Sequence, residues 1–203
     1  TLSNASGSTV GTYSIDKDNP YTYEISCTTH SAGSECAYLY ADATGSTDGA
    51  KGLYVSASQP FYARVDVNAL PQAASYGSRG DFAKGKEFYS AHFVHGKDDN
   101  TGNFITVMST EANTDVTVTA PSGCTWSGGT SFTISNAHYS YVLANQNYTN
   151  ECIGTKIVAD KDVVVISGSW SGRLDSSTSG TPGRDMGFDH LIPAGGLGQD
   201  YLI

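Results

Sequence analysis

Apolar and polar residues alternate along most of this chain, a period of two that predicts β-strands rather than helices. In Asp115-Val-Thr-Val-Thr119, Val116 and Val118 fall on one face and Asp115, Thr117 and Thr119 on the other. Thr and Tyr suit such half-buried pleated positions. The same rhythm predicts strands at Thr9–Ile15, Tyr21–Cys27, Cys36–Ala41, Gly52–Ala57, Phe61–Val67 and Glu87–His95. It continues through Asn103–Ser109, Asp115–Thr119, Ser131–Ser135, Tyr139–Leu143, Thr155–Ala159 and Val163–Ser167. Turn-forming clusters separate them at Asp42–Gly52, Lys97–Gly102, Pro121–Gly129 and Ser171–Gly183. No window carries a helical stripe. Many short strands with frequent turns predict an all-β chain of antiparallel, Ig-like β-sandwich modules with few or no helices.

An internal echo suggests that the modules are tandem. Gly52-Leu-Tyr-Val-Ser-Ala-Ser-Gln-Pro-Phe-Tyr-Ala63 keeps the apolar rhythm of Gly154-Thr-Lys-Ile-Val-Ala-Asp-Lys-Asp-Val-Val-Val165, and both read as strand, tight turn, strand. Leu70-Pro71 is echoed by Ile192-Pro193, and Gly85-Lys-Glu-Phe-Tyr89 by Gly198-Gln-Asp-Tyr-Leu202. Three echoes in one order predict a module over residues 1–70, a linker over 71–84 and a second module over 85–190. Residues 191–203 then read as a linker and the first strand of a following module, so the chain reads as part of a longer protein.

Composition narrows the function classes. The 203 residues carry 11 Lys+Arg against 20 Asp+Glu, a net charge of −9, and Gly, Ser and Thr supply about a third of the chain. An acidic balance argues against nucleic acid, whose phosphates need cationic neutralisation. No apolar run approaches the ~18 residues of a helical membrane span, so no membrane insertion is expected. The spacing of Cys27, Cys36, Cys124 and Cys152 lacks the paired CxxC of a zinc site. We read two local disulfides, 27–36 and 124–152, formed in an oxidising compartment, although four cysteines allow three connectivities.

Candidate chemistry is sparse. Asp98, Asp99, Asn100 and Asn103 form an oxygen-rich turn that offers three or four ligands to calcium, the one cofactor the sequence suggests; the competing reading is a solvated hairpin loop. Asp16-Lys-Asp-Asn19 and Asp160-Lys-Asp162 are weaker versions of the same pattern, the latter more simply a turn. The pairs Tyr21/Tyr23, Tyr38/Tyr40 and Tyr139/Tyr141 each line one sheet face, where they either bind a sugar or protein surface or cover a core. His92 and His95 fall on opposite faces of a strand and do not share a metal. Arg79-Gly80-Asp81 spells an integrin-type tripeptide in the predicted linker. No nucleophile elbow, zinc helix or phosphate loop is present, and no catalytic residue is assigned.

Several of these segments resemble one family. Gly85-Lys-Glu-Phe-Tyr-Ser90, the run Asn103–Thr119, Ile157-Val-Ala-Asp-Lys-Asp-Val-Val-Val165, Asp189-His-Leu-Ile-Pro193 and Leu197-Gly-Gln-Asp-Tyr201 are similar to the domain family named after the IgG Fc-binding protein. With Arg184-Asp-Met-Gly-Phe-Asp189 before the proline, the version here resembles modules of very large surface proteins of gliding Bacteroidota. Those proteins are exported by the type IX system and act in adhesion or motility. The resemblance implies an extracellular, cell-surface scaffold rather than an enzyme. The expected function is a non-catalytic adhesion or scaffold module contacting protein or glycan surfaces. One alternative is a filament subunit that adds a strand such as Gly198–Ile203 to a neighbouring copy. The other is a carbohydrate-binding module.

Overall fold

The computed structural model describes residues 1–25, 47–48, 52–69, 72–92, 94–95, 103–145, 152–173 and 185–197. Fourteen strands run through them in chain order: β1 (Leu2–Asn4), β2 (Thr9–Gly11), β3 (Thr47–Asp48), β4 (Leu53–Val55), β5 (Arg64–Ala69), β6 (Gln72–Gly77) and β7 (Lys84–Tyr89). There follow β8 (Val94–His95), β9 (Asn103–Ser109), β10 (Thr114–Thr119), β11 (Ser131–Ile134), β12 (Ser140–Asn145), β13 (Lys156–Arg173) and β14 (Asp185–His190). Two short 3-10 turns, Gly80–Ala83 and Ala194–Gly196, are the helical elements among the described residues. Every strand pair among them is antiparallel. The chain is all-β, as the period of two predicts.

β13 organises the larger part. Its first residues, 156–159, pair with β10, while 163–165 pair with β9. β7 runs along its other side, and β14 takes over from Ile166. One strand therefore belongs to two layers: β11-β10-β13-β7 on one side and β12-β9-β13-β14 on the other. Between the layers lie Phe88, Val116, Val118, Ile134, Ile157 and Ala159 against Ile105, Val107, Tyr141, Leu143, Val163 and Val165, all buried. In β10 this burial alternates strictly, with Thr114, Val116 and Val118 inside.

The change of partner occurs at Asp160-Lys161-Asp162, where the β7 register shifts between Val158 and Val163. The sequence predicts a tight turn here; the chain instead forms a bulge inside a continuous strand. A bulge bends a strand and raises its twist. Its polar groups are tied to the 110–115 turn. The Lys161 ammonium donates to the carbonyls of Ala112 and Asn113 at 2.6 and 2.8 Å. The Asp115 N–H donates to Asp160 Oδ1 at 2.8 Å, and Thr110 Oγ1 donates to the Asp162 carbonyl at 2.6 Å. The segment that the sequence reads as a tight turn is thus the corner latch of the sandwich.

Several boundaries differ from expectation. The predicted linker contains β6, which pairs residue for residue with β5, from Arg64↔Gly77 to Ala69↔Gln72. The two members of the first echo fold differently: 53–55 and 64–69 are separate strands, whereas 156–173 is one. β3 joins the edge of the larger sheet through β12, and Tyr54 stacks on His138 at 4.5 Å, so residues before 70 contact the predicted second module. Leu191 and Pro193, beyond its predicted end, pack into it: Leu191 is buried, and a Cβ on Gly85 would overlap the Pro193 ring.

The first tyrosine pair is also corrected. Residues 21–25 form no strand, so Tyr21 and Tyr23 do not line a sheet face. Both rings gather on Tyr13 instead: Tyr21 stacks on it at 3.9 Å, and Tyr23 tilts against it at 6.2 Å. Ring-to-ring packing within residues 13–23 takes the place of strand pairing. The predicted strand Cys36–Ala41 and the segment Gly198–Ile203 lie outside the described residues.

Candidate functional site

The segment Ser78-Arg-Gly-Asp-Phe-Ala-Lys84 leaves β6 and enters β7 through a 3-10 turn. Gly80 sits at φ +54°, a left-handed conformation that a side chain disfavours. Ala83 is fully buried and pins the turn to the body. Arg79 fixes its other end. Its Nη2 meets Asp189 Oδ2 at 2.9 Å, its Nε donates to the His190 carbonyl at 3.3 Å, and its backbone N–H reaches His190 Nδ1 at 3.4 Å. Asp81 pairs with Lys84 at 2.6 Å. The hydrogen bond from Lys84 is the largest influence holding the Asp81 carboxyl below its usual range, and the same bond raises Lys84.

Held this way, the turn projects Phe82 into solvent, with 87% of its surface exposed. Asp81 and Phe82 line an open groove of ≈ 480 Å³ together with residues 84–87 and Pro193, Gly195 and Gly196. Behind the turn, the Tyr76 ring packs edge-on to Phe188 at 5.1 Å and tilts against His190 at 5.0 Å. Burial, followed by the Asp189 charge, pushes the Tyr76 phenol up to about 12. Burial also lowers His190; Arg79 adds to this and Asp189 opposes it. Both side chains are neutral supports at pH 7.

A second polar cluster lies at one end of the interior. The Trp126 indole donates to Thr155 Oγ1 at 2.9 Å, and Thr155 Oγ1 donates to the Cys152 carbonyl at 2.8 Å. Ser90 Oγ donates to the same carbonyl at 2.8 Å. His92 meets Trp126 edge-on at 6.4 Å and approaches Ser167 Oγ with Nδ1 at 3.5 Å, while its buried Nε2 has no partner among the described residues. Burial pushes the His92 imidazole down to about 4. The cluster surrounds the disulfide, and its Ser90, Trp126, Cys152 and Thr155 are buried.

Cys124 and Cys152 are disulfide-bonded, 28 residues apart in sequence. Cys27 and Cys36 lie outside the described residues, as do Asp98, Asp99, Asn100, Tyr38 and Tyr40. Asn103 is buried, and its Oδ1 accepts a hydrogen bond from Ser169 Oγ at 2.7 Å. The described members of the tyrosine pairs, read as either a binding face or a core cover, are mostly turned inward. Tyr141 is in the core: it stacks on Phe132 at 3.7 Å and donates to the Gly128 carbonyl at 2.7 Å. Tyr139 packs against the same core. Tyr23 is half-buried and its hydroxyl is shielded from solvent, so it does not present the polar tip that a sugar or protein surface would meet. Tyr21 is half exposed, with its ring face covered by Tyr13. Asp16 closes its own turn, accepting from the N–H groups of Asp18 and Asn19. Among the described residues no three His, Cys, Asp or Glu side chains converge as metal ligands.

Both charges of Arg79-Gly80-Asp81 have a partner within the chain, Arg79 with Asp189 and Asp81 with Lys84, the second a surface pair in which the Asp81 side chain stays 89% exposed. The turn also presents the neighbouring Phe82, which sequence reasoning passed over. The signal was available: a lone aromatic after Gly-Asp, with no apolar side chain two positions away on either side to form a strand face.

Searches of curated proteins and of solved structures return no match to the chain. The sequence profile of the family described as IgGFc binding protein matches residues 80–203. That span covers the Phe82 turn, β7, the corner latch and the disulfide. The chain belongs to the IgGFc binding protein family.

Proposed function

We propose that this chain is a non-catalytic, extracellular protein-binding module of a larger cell-surface adhesin. The observation that carries the reading is Phe82: a large aromatic held almost fully in solvent by a turn clamped at Arg79, Ala83 and Lys84. Interface hot spots are enriched in aromatic anchors, and a preorganised anchor loses little entropy on binding. The β-sandwich behind it is a scaffold, and the Cys124–Cys152 disulfide suits an oxidising, extracellular setting.

The test is adhesion. Beads coated with the chain are scored against immobilised extracellular proteins, including the Fc of IgG, against a glycan array and against the chain itself. The expected result is retention on a protein surface that Phe82→Ala reduces by about tenfold or more. Binding confined to glycans makes it a carbohydrate-binding module. Binding confined to the chain itself makes it a filament subunit. Turnover of a polysaccharide makes it an enzyme. Each of these three outcomes rejects the adhesin reading.

A further inference from the structure

We propose that β7 is a strand acceptor whose edge away from β13, unpaired among the described residues, takes up an extended peptide segment of a partner protein, one carrying a carboxylate close to an apolar side chain. This rests on the protein-binding reading above and names the partner's chemistry.

Among the described residues β7 pairs with β13 alone, whereas β10 pairs with both β11 and β13. An antiparallel strand turns the N–H and C=O groups of alternate residues away from its partner, so an uncovered edge is a template for another strand. The groove follows that edge: its wall is made by consecutive residues, 84 to 87. A groove over one face of a strand would be lined by every second residue. The opposite wall is Pro193, Gly195 and Gly196, none of which carries a long side chain. Main-chain pairing along such an edge supplies affinity, and flanking side chains supply specificity.

Two flanking side chains set the specificity. Phe82 lines the groove and offers an exposed apolar contact. Lys86 supplies charge. Asp81 is paired with Lys84, and Glu87 with Lys156 at 3.1 Å. The Lys86 ammonium donates to the Asp160 carbonyl at 2.8 Å and has no carboxylate partner among the described residues. Its uncompensated charge favours an acidic residue on the incoming strand. It also disfavours a second copy: two β7 edges meeting antiparallel about Lys86 would set like charges opposite one another.

The probe is a random decapeptide library selected on immobilised chain 1–203. Enriched peptides should alternate apolar residues with Asp or Glu. N-methylating alternate backbone nitrogens of the best one should weaken it by about tenfold or more, because strand addition needs its N–H groups. Lys86→Glu should invert the preference towards lysine peptides, and Phe82→Ala should weaken both classes. Hydrogen exchange should slow at residues 84–89 when the peptide binds. No enrichment, binding insensitive to N-methylation or to Lys86→Glu, or protection elsewhere would overturn the proposal. So would concentration-dependent protection of β7 without peptide, which assigns the edge to a second copy. If the beads bind a protein surface in a Phe82-dependent way while these arms fail, the binding module stands and the strand acceptor falls.

Discussion

Acidification should loosen this protein through one buried imidazole. His92 has an ordinary value of 6.5, lowered to about 4 in the folded chain by burial. The unfolded chain therefore binds a proton at this site more readily than the folded one. Stability from neutral His92 is fully present above the unfolded value and is lost as pH falls through 6.5 towards 4. At ~1.4 kcal/mol per pH unit, the gap corresponds to about 3 kcal/mol once both states are protonated. About 2 kcal/mol of this should disappear between pH 7 and pH 5. Carboxylates titrate in the same range, so the readout is a difference. Urea unfolding of the chain and of His92→Gln is followed by tryptophan fluorescence, to which both Trp126 and Trp170 contribute. Between the two pH values the parent should lose about 2 kcal/mol more than the variant. Parallel losses would refute the claim that His92 is held neutral by burial.

Three further outcomes follow from the packing. Gly85→Ala places a methyl against the Pro193 ring; overpacking of this kind costs about 1–3 kcal/mol in urea unfolding, and an unchanged midpoint would contradict the contact. Replacing Cys124 and Cys152 by Ser opens a loop closed across 28 residues and should lower stability by about 3.5 kcal/mol in the chain-entropy model, read as a fall in thermal midpoint relative to the parent when both are kept under non-reducing conditions. Lys161→Met removes two hydrogen bonds from the corner latch and should cost about 1–3 kcal/mol; hydrogen exchange at residues 110–115 should speed up in that variant.

The strand whose pattern the sequence revealed most plainly is β10, which has one wet and one dry face and differs from its predicted bounds by one residue. β9 spans the residues its alternation predicts, although residues 103–105 are all buried and none of the strand is fully exposed. The pattern failed where tertiary contacts overrode local preference. Asp160-Lys161-Asp162 has turn-forming residues, yet each finds a partner in the 110–115 turn, and the strand continues. β6 is built from Gln, Ala, Ser, Tyr and Gly, weak strand formers that read as a linker; its pairing with β5 and the seat of Tyr76 against Phe188 and His190 are long-range facts. The tyrosine pairs carried no information about which face meets solvent. Tyr141 belongs to the core, and Tyr23 leans on Tyr13 with its hydroxyl turned in. The site was half legible. Arg79-Gly80-Asp81 drew notice for its charges, which pair with Asp189 and Lys84, and only the fold shows that the turn also displays Phe82.

The most direct test of the central claim compares the chain and Phe82→Ala in affinity for the protein surface that retains the coated beads. Thermal unfolding of both is recorded alongside. A preorganised anchor predicts a fall of about tenfold or more in affinity with an unchanged thermal midpoint, since the removed ring is 87% exposed. Equal affinities at equal stability would contradict the assignment of the Phe82 turn as the binding site.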